Sequence, residues 1–132
     1  MEQEDKELLL KDLCARSPYG VMADYVGECI KVKYVNPHLG MIYISYFGIT
    51  KWEAVEVIKP YLRSMSSMTE EEKKEAKENG CIIYHDTSPK NRGLMVIASP
   101  KGIDWLNAHH FDYRNLIEQG LAIEAPEGMY KF

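Results

Sequence analysis

From residue 29 to 35 the chain alternates: Ile30, Val32 and Tyr34 fall on one side, Lys31 and Lys33 on the other. A period of two over that length belongs to a strand with one covered face and one wet face. Such a strand needs a layer packed on one side only, which is the geometry of antiparallel sheets.

The flanking sequence supplies the neighbours. Residues 21–26 read as a strand running into a tight turn at Gly27-Glu28, and Asn36-Pro37-His38-Leu39-Gly40 is turn chemistry. Residues 41–47 place Ile42, Ile44 and Tyr46 on one face and Tyr43, Ser45 and Phe47 on the other. Bulk on both faces predicts a central strand covered on two sides. Residues 55–58 are expected to add a fourth strand before Pro60, giving a small antiparallel bent sheet or a barrel-like meander. Residues 59–68 suit either a helical turn or an extended edge, because Pro60 fits both.

Helical periods bracket this region. In residues 4–16, Leu9, Leu10, Leu13 and Cys14 recur at helical spacing. Acidic residues crowd the first turn and Arg16 sits in the last, as the macrodipole prefers. Ser17-Pro18-Tyr19-Gly20 stops that helix. Thr69-Glu70-Glu71-Glu72 is a capping box, opening a helix over 70–78 that Asn79-Gly80 ends. Ala76 is its lone apolar residue, so it is expected to be a solvated polar arm. Residues 81–84 and 93–98 return to strand, around a polar loop at 85–92 that carries Lys90 and Arg92. Ser99-Pro100 starts another helix, and Asp112 is placed to cap a second over 113–119. Those two helices are expected to close over the sheet as a clamp, through Trp105, Leu106, Leu116 and Ile117. Residues 121–123 can pack back on the body, leaving 124–132 as a tail. The expectation is one α+β domain over residues 1–132. Its core would be drawn from Leu9, Leu13, Ile30, Val32, Ile42, Ile44, Tyr84, Val96, Trp105 and Leu106.

Composition narrows the function class. The 132 residues suffice for one core and leave no room for two good ones. With 16 Lys and Arg against 20 Asp and Glu, the net charge of −4 argues against a phosphate-contacting, double-stranded DNA binder. No apolar run approaches the length of a membrane span, and the acidic start Met-Glu-Gln-Glu-Asp is unlike a signal peptide. The expected setting is the cytoplasm, with no membrane contact. Cys14, Cys29 and Cys81 form no CxxC, which removes zinc knuckles and dithiol redox sites, and all three read as structural.

A set of longer motifs adds context. These are Lys11-Asp12-Leu13-Cys14-Ala15-Arg16 with Pro18-Tyr19-Gly20-Val21, and Lys59-Pro60-Tyr61-Leu62-Arg63 leading into Ser66-Ser67-Met68-Thr69-Glu70-Glu71-Glu72. Ile103-Asp104-Trp105-Leu106-Asn107 continuing through Arg114, Gly120-Leu121-Ala122, and the run from Glu124 to Tyr130 complete it. Together they span nearly the whole chain. The set resembles a group of short proteins, with no assigned activity, common in gut anaerobic bacteria, their phages and mobile elements. That resemblance implies an accessory protein carried on mobile DNA. The chain departs from some members of the group at Ser17, where they have Leu, and at Ser64, where they have Pro.

Chemistry-bearing residues are sparse. The metal-ligand candidates are His85, His109, His110 and Asp112. Adjacent helical histidines point about 100° apart, HExxH is absent, and histidines near a helix C-terminus have a structural role ready. Asp112 has one too, as a cap. Neither GxSxG, Ser-x-x-Lys, GxGxxG nor GxxxxGK occurs, so no nucleophile elbow or phosphate loop is signalled and no cofactor is expected. The aromatics are more suggestive. Tyr43, Phe47, Trp52 and Tyr61, with Arg63, are interleaved with lysines and form the candidate binding surface. Their competing role is to fill the core of a small barrel. The functional expectation is a non-enzymatic binding or adaptor protein acting on an unidentified protein partner, with a homo-oligomer left open. Two alternatives stand beside it. One is a small metal-dependent hydrolase centred on His85, His109 and His110, and the other a single-stranded nucleic-acid binder using the aromatic and Lys residues of the sheet.

Overall fold

The computed structural model describes residues 1–86 and 93–130, the side chains of 85, 86 and 93–95 excepted. It is an α+β structure. Helix α1 (Gln3–Arg16) opens the chain, with Glu4 and Asp5 in its first turn and Arg16 in its last. Strands β1 (Met22–Tyr25), β2 (Glu28–Asn36), β3 (Met41–Tyr46), β4 (Ile49–Ala54) and β5 (Ile58–Leu62) follow. With the short β8 (Ile123–Glu124) they form a six-stranded sheet in the order β4-β3-β2-β1-β5-β8. All pairings are antiparallel except β5 with β8, so the expected antiparallel sheet is in fact mixed.

The inner face of the sheet holds the larger core. Leu9, Leu10 and Leu13 of α1 pack on Ala23, Ile30, Val32, Ile42, Ile44 and Ile58, and Leu116, Leu121 and Ala122 close its far side. Each Leu, Ile or Val among them contributes about 1.5–3 kcal/mol on leaving water. The alternation in β2 therefore reads correctly at Ile30 and Val32. At residues 55–58 the expectation fails: Val55–Val57 is a 3-10 turn, and the strands lie on either side of it. Strand β4 escapes a hydrophobic pattern because its inward residues include Lys51 and Glu53. The Lys51 ammonium lies 5.2 and 5.4 Å from the Tyr25 and Tyr46 ring centroids, and Glu53 accepts from the Tyr25 hydroxyl at 3.1 Å. Nor is β3 covered on both sides. Ile42 and Ile44 are buried, whereas Tyr43 stands on the outer face.

The two tight hairpin turns are unusual. Val26-Gly27 and Phe47-Gly48 both have positive φ at both central residues (44° and 85°, 50° and 78°), which matches the twist of paired strands. A β-branched or bulky residue at such a position is rare. Both turns lie at the same end of the sheet, with Val26 and Phe47 exposed.

A second, smaller core stands beside the first, where one was expected. Helix α2 (Glu70–Glu78), the ribbon β6 (Cys81–Asp86) and β7 (Gly93–Ala98), and helix α3 (Pro100–Ala108) enclose Met65, Met68, Ala76, Cys81, Trp105, Leu106 and Phe111. The capping box forms in both directions: Thr69 Oγ1 accepts from Glu72 N, and Glu72 Oε1 accepts from Thr69 N, both at 3.1 Å. Ser99 caps α3 at Gly102 N, 3.2 Å away. Gly102 is required there, since a Cβ would meet Cys81 Sγ at 2.9 Å. The ribbon turns Cys81 and Ala98 inward and Ile82, Tyr84 and Ile97 outward, so Tyr84 is 41% exposed rather than buried and Val96 is half-buried. Trp105 and Leu106 thus close over the ribbon and α2, not over the sheet.

Three further expectations change. Helix α2 is no free arm: Ala76 is fully buried, Glu72 binds Arg63 and Glu75 accepts from Trp105 Nε1. Residues 113–119 form a run of turns in place of a second helix, because Asn115 adopts φ 59°. The tail is a strap: Ala125 N donates to Leu62 O at 2.7 Å, and the Tyr130 hydroxyl donates to Tyr61 O at 2.7 Å and accepts from Met22 N at 2.9 Å. The polar loop expected at 85–92 falls, for residues 87–92, outside the described residues.

Candidate functional site

Two constellations were candidates, and the structure treats them differently. The histidines diverge. His109, at the end of α3, stacks on Trp105 with 4.2 Å between ring centroids and faces Glu75 and Glu72 at 3.8 and 4.0 Å. Burial lowers its pKa against the pull of those two carboxylates. His110 turns the other way and stacks on Tyr130 at 3.8 Å. Burial, with Arg16 adding to it, holds that imidazole down at about 4, so it is neutral near pH 7. Asp112 spends both carboxylate oxygens on the Leu116 and Ile117 amides, each at 2.9 Å, while burial pushes its pKa up. The side chain of His85 lies outside the described residues. Among the described residues no three His, Cys, Asp or Glu side chains are placed to hold a metal ion.

What these residues build is the junction between the two cores. Arg16 is fully buried, and donates to Asp12 at 2.8 and 3.1 Å and to the Phe111 carbonyl at 2.6 Å. Arg114 adds a second cation to Asp12 at 2.7 Å. Arg63 N donates to His110 O, and Asp112 N to Arg63 O, both at 2.8 Å, which stitches the end of β5 to the segment after α3. The Arg63 side chain, expected on the binding surface, instead forks onto Glu72 at 2.7 and 2.8 Å over the Phe111 ring. Burial alone would raise the Glu72 pKa, but the bonds from Arg63 and Thr69 bring it below the ordinary carboxylate value.

The aromatic candidates are only partly brought together. Tyr43 and Trp52 are direct cross-strand partners on the outer face of the sheet, 5.1 Å apart with planes 26° from parallel. Phe47 is at the β3–β4 turn, packed on Tyr46. Tyr61 is on β5, at the other side of the sheet. The residue that sequence reasoning missed is Tyr34, the partner of Tyr43 in register, stacked on it at 5.8 Å with planes 16° apart. Strict alternation assigns Tyr34 to the covered face with Ile30 and Val32. A register shift between Val32 and Tyr34 moves it outward, since one extra residue reverses the facing of everything beyond it.

The result is a three-ring ladder, Tyr34–Tyr43–Trp52, running across β2, β3 and β4 on the face that α1 does not cover. Tyr34 is 61% exposed and Trp52 47%. Lys31 and Lys33 are exposed on the same stretch of β2. A cleft of about 390 Å³, lined by Pro18, Gly20, Lys31, Lys33 and Tyr34, lies on one side of Lys31. Another of about 300 Å³, lined by Cys29, Lys31, Ser45, Tyr46 and Phe47, lies on the other. A third cleft, of about 440 Å³, is under the C-terminal strap beside Arg63, Ser67, Thr69 and Tyr130.

No family profile, curated protein or solved structure matches the chain. Among the described residues no helix is long and apolar enough to cross a membrane.

Proposed function

We propose that this protein is a non-enzymatic adaptor whose outer sheet face binds a protein partner, as a cytoplasmic accessory protein of a phage or mobile element. The observation that carries the reading is the exposed Tyr34–Tyr43–Trp52 ladder. Contiguous apolar surface on one face of a small protein marks an interaction site, and tyrosine and tryptophan are the residues most enriched at the centre of such sites. The ligand-type residues support the same reading from the other side. His109, His110 and Asp112 are each engaged in packing or capping at the junction.

Single-stranded nucleic acid is the second reading, favoured by the lysines beside the rings. Stacked bases need free ring faces. In an offset stack each ring spends a face on its neighbour and turns an edge outward, so only the two ends of the ladder are open to a base.

Affinity capture from the native host with the wild type and with a Tyr34→Ser/Trp52→Ser double variant tests the proposal. Both residues are on the uncovered face, so the variant should fold. A stoichiometric protein held by the wild type and lost with the double variant is the expected outcome. A partner retained equally by both would sink the proposal.

A further inference from the structure

The two clefts that meet at Lys31 follow one strand. From Cys29 to Tyr34 the outer face of β2 forms their common floor, a track of roughly 17–20 Å at about 3.3 Å per residue. Its ends are aromatic, Phe47 at one and Tyr34 with its ladder at the other. Its middle is basic. Lys31 and Lys33 are both exposed, and neither enters an ion pair among the described residues. Of the acidic residues nearby, Glu28 lies at the Phe47 end, and Asp24 on β1 is in register with Cys29 at that same end of the track and with Lys59 of β5 on its other side. The centre of the track is therefore positive on a chain whose net charge is −4.

From this juxtaposition we infer that the track takes an extended peptide segment of about six residues, with acidic side chains at its centre and an apolar or aromatic side chain at the ladder. The inference rests on the adaptor reading and adds the chemistry of the partner. Charge complementarity selects the occupant: two unpaired lysines flanked by apolar ends fit carboxylates between apolar anchors. A nucleic-acid strand would meet two cations, no guanidinium on the track and, at the ladder, the one open ring face of Tyr34.

A random nonapeptide phage-display library panned on the immobilised full chain, with a labelled ten-residue oligothymidylate in parallel, tests this. Asp and Glu should be enriched several-fold over the input library. A recovered peptide should lose at least ten-fold in affinity to Lys31→Glu/Lys33→Glu, whose own selection should shift to Lys and Arg. Lys73→Glu, on α2, should behave as wild type, and thermal melting checks that all variants are folded. Recovery of no peptides, recovery without acidic enrichment, indifference to the charge reversal, or tighter binding of the oligothymidylate would each overturn the inference. Ladder-dependent capture from the host combined with any of these would leave the adaptor reading standing and remove only the acidic segment. Loss of ladder dependence would remove both.

Discussion

The two faces of the six-stranded sheet are made by alternate residues of the same strands, and they share little besides that backbone. On the inner face, Ile30, Val32, Ile42 and Ile44 are buried against α1. On the outer face, Lys31, Lys33, Tyr34, Tyr43 and Trp52 meet solvent. Aliphatic side chains fill a dry core with defined rotamers. Tyrosine and tryptophan offer area and a polar tip, and are retained at a surface where something else completes their burial. One face is thus committed to holding the fold, and the other is the surface we propose for a partner.

The largest effect should come from the junction that fixes the inner face to the second core. Arg16→Met leaves Asp12 buried with Arg114 as its remaining cation, and breaking a buried pair in this way costs about 3–5 kcal/mol. Denaturant titration should show that loss, and a loss below about 1 kcal/mol would mean that the two cores do not depend on the junction.

Neighbouring residues then sharpen the comparison. Ile44→Ala should cost about 2–5 kcal/mol through the cavity it opens. Tyr43→Ala, one residue away on the other face, loses its pairs with Tyr34 and Trp52 and should cost no more than about 2 kcal/mol, at about 0.2–1 kcal/mol for each cross-strand pair. Equal losses in the two variants would mean that the ladder is part of the core.

Protonation of His110 should matter next. Its imidazole is held at about 4 in the fold, against about 6.5 in an unfolded chain. Between those values the unfolded state binds the extra proton, so stability is complete above about pH 6.5 and falls as the pH drops toward 4, by up to about 3 kcal/mol. Asp112, with its pKa raised, opposes this in more acidic solution. Comparing wild type with His110→Gln at pH 7 and at pH 4.5 isolates the histidine, and parallel losses in both would contradict the assignment. Smaller again is Asp112→Ala, which frees the Leu116 and Ile117 amides and should cost about 0.5–2 kcal/mol, read as a shift in thermal midpoint.

Much of the inner face was legible in the sequence. Ile30 and Val32 follow from alternation, α1 from its leucine spacing, and the ends of α2 and α3 from Thr69 and Ser99. What escaped did so for physical reasons. Lys51 and Glu53 point inward in β4 because the Tyr25 and Tyr46 rings and the Tyr25 hydroxyl receive them, which no hydrophobic pattern encodes. Tyr84 was misplaced because a two-stranded ribbon has only one covered face and its side could not be chosen from an apolar run. Of the candidate binding surface, Tyr43 and Trp52 came together, whereas Arg63 was drawn away by Glu72. Tyr34 was hidden by a single register shift. The pairing of Arg16 with Asp12 follows helical spacing, but its bond to Phe111, 95 residues on, exists only in the folded chain.

Among the described residues the outer face competes with a further exposed apolar patch, the ribbon face of Ile82, Tyr84 and Ile97. Hydroxyl-radical footprinting of the captured complex decides between them, because it reads the exposure of individual side chains. Oxidation of Tyr34 and Trp52 should fall several-fold on binding, while Tyr84 stays at its free-protein rate. Protection of Tyr84 with the ladder unchanged would place the partner on the ribbon and contradict the division of labour between the two faces of the sheet.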